Sequence, residues 1–131
     1  MIAVDTNLLV RLATNDDPPA RQAVVALLES EETLICKTVL LETEWVLRSR
    51  FGYKPAQVLG FFRYLVALPA ILFEDEVAIT RALEIFSADI DFADALHVAS
   101  AGDCEFVTMD RVLVRRATKL GAPMRLLKRG S

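Results

Sequence analysis

Short apolar runs that each lead into a helical pattern constrain this chain more than any other feature of its sequence. Ile2-Ala3-Val4 ends at Asp5-Thr6-Asn7, a helix-capping cluster, followed by the amphipathic Leu8-Leu9-Val10-Arg11-Leu12. Thr33-Leu34-Ile35-Cys36 precedes a helical stretch from Val39 to about Phe51, with Gly52 placed to stop it. Ile71-Leu72-Phe73 precedes a helix from Glu74 to Ser87, and Phe106-Val107-Thr108 precedes one from Val112 to Leu120. The turn Asn15-Asp16-Asp17-Pro18-Pro19 opens a helix to about Ser30, Pro55 opens another to about Leu68, and Asp91 begins one to about Ala101. Met124 to Leu127 reads as a fifth strand. Strands alternating with helices predict right-handed βαβ units and a parallel sheet with helices on both faces. The expected fold is therefore α/β, in three α/β/α layers around a central parallel sheet of four to five strands. At 131 residues, a single domain over 1–131 is expected.

In such sheets ligands gather beyond the carboxyl ends of the strands. Asp5 follows the first strand, Asp110 follows Thr108 at the end of the fourth, and Asp91 and Asp94 open the helix before it. Glu42 lies in the first turns of the helix after the second strand, aimed at the same edge. Two carboxylates about 5 Å apart repel by roughly 3 kcal/mol at an effective dielectric near 20, so such a cluster needs a counterion. No lysine or arginine flanks Asp5 or Asp94. A divalent cation is the natural neutraliser, and all-oxygen ligands select Mg²⁺ or Mn²⁺, as one or two ions.

Each acid also has a structural reading. Asp5 with Thr6 and Asn7 can cap a helix, Asp91 can be an N-cap with Asp94 at the third helical position, and Asp110 can start a turn. Glu42 and Glu44 point about 200° apart on a helix, so at most one faces the site. Asp16-Asp17, Glu29-Glu31-Glu32 and Glu74-Asp75-Glu76 read as caps or solvated faces. Trp45 reads as core or interface rather than a base-stacking platform, and His97 as packed or hydrogen-bonded. Phe61-Phe62-Tyr64-Leu65 carries more apolar surface than one helix face needs and suits a dimer or partner contact.

The scarce residues exclude whole mechanisms. His97 is the one histidine, so no two-histidine acid–base pair can be built from one chain. Cys36 and Cys104, even with His97, fall short of a four-ligand zinc site. Met1-Ile2 lacks the basic start and apolar run of a signal peptide, so a reducing, cytoplasmic setting is expected. The most apolar stretch, Val58 to Phe73, is broken by Arg63 and Pro69, and no membrane span is expected.

The formal net charge of −3 masks two populations. Residues 1–110 hold 8 Lys/Arg against 18 Asp/Glu, whereas 111–131 hold 7 Lys/Arg and no acid. Arg111, Arg115, Arg116 and Lys119 fall on or near one short helix directly after Asp110. There they can hold a phosphate backbone or simply form a solvated helix face.

Four segments carry a family resemblance. Ile2-Ala3-Val4-Asp5-Thr6-Asn7 resembles the N-terminal signature of PIN-domain ribonucleases, and Val39-Leu40-Leu41-Glu42 with Trp45-Val46-Leu47-Arg48 their second acidic motif. Asp91-Phe92-Ala93-Asp94-Ala95-Leu96-His97 resembles the third motif and Val107-Thr108-Met109-Asp110 the last. The chain looks most like the VapC-type toxins of toxin–antitoxin pairs. The resemblance implies a PIN-like fold, a homodimer, and a VapB-like antitoxin whose C-terminal segment covers the active site. With the acids it implies a metal-dependent endoribonuclease. Asp5, Glu42, Asp94 and Asp110 would be catalytic metal ligands, Asp91 a possible accessory, and Thr6 or Asn7 partners of a ligand carboxylate or the phosphate. Hydrolysis by a metal-activated water does not need the 2′-hydroxyl, so 5′-phosphate and 3′-hydroxyl ends are expected. Two other readings stay open: a catalytically inactive RNA- or partner-binding module of the same fold, and a haloacid-dehalogenase-like phosphatase. The phosphatase motif wants a second Asp where this chain has Asn7.

Overall fold

The structure, a computed structural model, describes residues 1–130. Its strands are separated by one or two helices: β1 (Ile2–Ala3), α1 (Thr6–Ala13), α2 (Pro18–Ser30), β2 (Thr33–Ile35), α3 (Lys37–Phe51), α4 (Pro55–Ala67), β3 (Ile71–Phe73), α5 (Glu76–Ser87), α6 (Phe92–Ser100), β4 (Phe106–Thr108), α7 (Arg111–Lys119) and β5 (Met124–Leu126). The chain divides into two compact units, Met1–Glu76 and the residues from Val77 on.

In the first unit β1, β2 and β3 form a parallel sheet in chain order. Ile2 pairs with Thr33 and Thr33 with Ile71, while Ile35 pairs with Phe73. That register leaves Asp5 beyond the end of β1 and Cys36 beyond the end of β2. The crossovers are helical because parallel neighbours cannot be joined by a tight turn. Leu9 and Leu12 of α1, Leu40 and Leu47 of α3, and Val58, Phe62 and Leu65 of α4 are buried with Ile35 and Ile71. Burying each large apolar side chain contributes about 1.5–3 kcal/mol, enough to hold helices around such short strands.

The second unit pairs β4 with β5 in parallel through α7, with Phe106 opposite Met124 and Thr108 opposite Leu126. Its core sets Phe86 of α5 edge-on to Phe92 of α6, ring centroids 5.2 Å apart, among Ala82, Ile85, Ala95, Leu96, Leu113 and Ala117.

Parallel strands and the α/β class match expectation; a single sheet of four to five strands does not. The five strands belong to a three-stranded and a two-stranded sheet. Strands of two or three residues offer few ladder bonds, and β1 stops at Ala3 because Val4 and Asp5 lead straight into the cap of α1. Two boundaries also move. Cys36 is the N-cap of α3 rather than the last residue of a strand. The helix expected from Glu74 starts at Glu76, because the Glu74 N–H donates to the Ile35 carbonyl and Asp75 takes a left-handed φ of 60°. No helix among the described residues is long and apolar enough to cross a membrane.

Candidate functional site

In the first unit a cleft of about 460 Å³ opens where α1 and α3 leave the sheet. Asp5, Thr6 and Asn7 line it from the start of α1, and Glu42, Trp45, Val46, Arg50 and Phe51 from α3. Asp5 is in extended backbone as the N-cap of α1, and its carboxylate accepts from the Thr6 N–H at 2.7 Å. The Thr6 hydroxyl, on a side chain buried beneath the cleft, donates to Glu42 Oε1 at 2.5 Å. One residue therefore binds both acids, by its backbone and by its side chain.

The neighbouring acids are sorted by partner. Glu44, two residues past Glu42, is turned away from the cleft: it is only 4% exposed and takes Arg48 Nε at 2.7 Å. Glu74 accepts the Lys37 N–H at 2.9 Å, and Asp75 pairs with the Lys37 ammonium at 3.0 Å. At the mouth of the cleft Asp16 accepts from Thr14 and Arg11, and these bonds hold its carboxyl below its ordinary value. No ion pair with Lys or Arg reaches Asp5, Glu42, Asp91, Asp94 or Asp110 among the described residues.

The second unit gathers Asp91, Asp94 and Asp110. Asp91 is the N-cap of α6, accepting from the Asp94 N–H at 3.3 Å. Asp110 is the N-cap of α7: its carboxylate takes the Leu113 N–H at 3.0 Å, and its own N–H donates to the Thr108 hydroxyl at 3.1 Å. The Asp94 carboxyl is pushed above its ordinary value. Partial burial is the leading cause, the charges of Asp91 and then Asp110 add to it, and His97 opposes it. A carboxylate crowded by two like charges gains from any cation that joins them.

Asp110 is followed by the basic helix α7. Arg111, Arg115 and Lys119 are exposed and spaced four apart, so they form one stripe. Arg116 lies off that stripe and is engaged: its guanidinium donates to the Asp89 carbonyl at 2.7 Å and lies 3.6 Å from the Asp89 carboxylate. The four basic residues therefore do not act as one set.

Two expectations from sequence are corrected in part, the core alternative for Trp45, which leaves the interface one, and the packed alternative for His97. Trp45 is not core: half its surface is exposed, and it lines the cleft with Arg50. His97 is exposed on α6 rather than packed, because it falls on the polar side of a helix whose apolar side is Phe92, Ala95, Leu96 and Ala99. The cleft residues Trp45, Val46 and Arg50 went unread as a group. Their spacing of three, four and eight from Glu42 puts all of them on the face of α3 that carries Glu42.

The donor chemistry suits a hard divalent cation: carboxylate oxygens, a threonine hydroxyl and no soft ligand within the cleft. No group of three or more His, Cys, Asp or Glu side chains stands in metal-holding geometry among the described residues. The PIN domain family matches residues 2–119, across both units, and the chain belongs to that family. PIN domains are generally nucleases, typically with divalent metal ions. No individual curated protein matches the chain.

Proposed function

We propose that this protein is a metal-dependent endoribonuclease, the toxin of a VapBC-type pair, forming one PIN-like nuclease domain over 1–131. The observation that carries the reading is that Asp5, Glu42, Asp94 and Asp110 have no lysine or arginine partner among the described residues, whereas the neighbouring Glu44 and Asp75 pair with Arg48 and Lys37. Acids left in this state within a nuclease family are the natural holders of Mg²⁺ or Mn²⁺. When bound, such a cation supplies a water of lowered pKa and neutralises charge on the phosphate.

The chain's own residues do the rest. Thr6 fixes the rotamer of Glu42 by its hydroxyl bond, so one carboxylate oxygen stays aimed while the other is available. Asp5 and Asp110 each spend one oxygen on a helix cap, which locks their side chains without a cation partner. Asp91 acts as an accessory that orients Asp94. The stripe Arg111, Arg115 and Lys119 attracts the RNA backbone, and Asn7, exposed beside Asp5, is within the cleft to meet a phosphate oxygen.

The test is cleavage of structured RNA by purified protein. The reading requires activity with Mg²⁺ or Mn²⁺, its loss in EDTA and in Asp5→Asn and Asp94→Asn, and 5′-phosphate product ends. Activity surviving chelation and both substitutions ends it. A short overlapping reading frame upstream supports the VapB-like antitoxin, and light scattering at twice the chain mass supports the homodimer.

A further inference from the structure

Trp45 is an expensive residue to leave in water, because an indole normally contributes by burying most of its surface. Here it is 50% exposed on α3, one turn after Glu42. Its backbone is steadied by the Ser49 hydroxyl, which donates to the Trp45 carbonyl at 2.6 Å. The Arg50 guanidinium sits 6.0 Å from the indole centroid, at the outer range of a cation–π contact. Arg50 forms no ion pair among the described residues, in contrast to Arg11 across the cleft, which Asp16 holds at 2.8 Å. Phe51 continues the aromatic wall at 37% exposure, and all three line the cleft that holds Asp5 and Glu42. An exposed π-face, an unneutralised planar cation beside it and two carboxylates in the same cleft match the parts of a nucleotide: base, flanking phosphate and scissile position.

We infer that Trp45 and Arg50 form a nucleobase subsite, in which one base of single-stranded RNA stacks on the indole and the adjoining phosphate meets the guanidinium. The choice of RNA as occupant rests on the nuclease reading above. Stacking is tolerant of base identity, so the subsite sets where an unpaired segment lies rather than its sequence.

Trp45 is the one tryptophan of the chain, so tryptophan emission reports on this position alone. The protein is titrated in EDTA, where no strand should be cut, with an unstructured oligoribonucleotide and with an abasic strand of equal length. Saturable quenching by the first and little by the second is expected. Labelled RNA followed by anisotropy should bind Trp45→Ala about 5- to 150-fold more weakly, the range for losing one stacked base. Trp45→Phe should restore most of that binding, and Val77→Ala, at an exposed apolar residue outside the cleft, should leave it unchanged. Unchanged emission at saturating RNA, wild-type affinity in Trp45→Ala, equal quenching by the abasic strand, or quenching by an acidic peptide in place of RNA each overturns the subsite. Cleavage by wild-type protein in Mn²⁺ is measured beside it. Quenching without cleavage removes the nuclease reading and keeps the subsite; cleavage without quenching does the reverse.

Discussion

The acids of the two units are positioned by the same device and balanced in opposite ways. Asp5, Asp91 and Asp110 are all N-caps, so each carboxylate is anchored by the first free N–H groups of a helix. In the first unit Thr6 then supplies donors to both Asp5 and Glu42. In the second, Asp94 meets the charges of Asp91 and Asp110 and is partly buried as well. Hydrogen-bond donors make a carboxylate comfortable as an anion, whereas like charges make it depend on a counterion. The first unit thus offers an acid pair in fixed orientation, and the second offers the stronger electrostatic demand for a cation.

The widest break in that comparison comes from removing one acid on each side. Asp5→Asn and Asp94→Asn should each lower RNA cleavage by about 100-fold or more, since metal assistance is worth several kcal/mol. Asparagine caps helices about as well as aspartate, so Asp5→Asn should keep its thermal midpoint and isolate chemistry from folding. A variant at Asp5 that retained a tenth of wild-type activity would remove the first unit's acid from the mechanism.

Much of this arrangement was readable from residue order. Helix starts at Asp5, Asp91 and Asp110 follow from local capping chemistry, and the opposite facing of Glu42 and Glu44 follows from helical pitch. What could not be read were facts set by tertiary neighbours. Whether Glu74 is a free acid depends on Lys37, 37 residues away, and the burial of Trp45 depends on how α1 meets α3. The division of the strands into two sheets was also hidden. Apolar runs announce strands, but ladder partners are chosen over long separations, and strands of two or three residues carry little pattern to choose by.

Thr6 sharpens the comparison on the side that is already balanced. Thr6→Val keeps the backbone bond to Asp5 and the shape of the side chain but deletes the donor to Glu42. Cleavage should fall about 10-fold, in line with one lost hydrogen bond to a charged group of about 1.5 kcal/mol. Thr6→Ser, which restores the hydroxyl, should recover most of it. A positioning role predicts that rescue, together with a weaker apparent affinity for Mn²⁺ in the valine variant. A mere packing role predicts neither.

A smaller effect separates the basic residues of α7. Replacing Arg111 or Arg115 by Ala should weaken RNA binding severalfold and reduce the slope of log affinity against log salt by about 0.7 for single strands. Arg116→Ala should leave the slope unchanged, because that guanidinium is occupied by the Asp89 carbonyl and carboxylate. Equal slopes for all three variants would make the helix an ordinary solvated face.

The smallest effect tests the electrostatic side directly, without RNA or metal. Asp94 titrates above its ordinary value in the folded protein, so the native state holds that proton more tightly than the unfolded chain does. Between the unfolded value and the raised one the native state binds more protons, and stability must fall as pH rises through that window. Asp94→Asn removes this penalty. In EDTA near neutral pH the variant should melt about 1–2 °C above wild type, a few tenths of a kcal/mol once solvent screening is allowed for. The advantage should shrink as pH drops toward 3.8 and vanish below it, where the wild-type carboxyl is protonated in both states. Asp5→Asn, at a cap held by the Thr6 N–H, is the reference variant measured beside it. If both variants gained equally, the like charges of Asp91 and Asp110 would not be what sets the gain at Asp94.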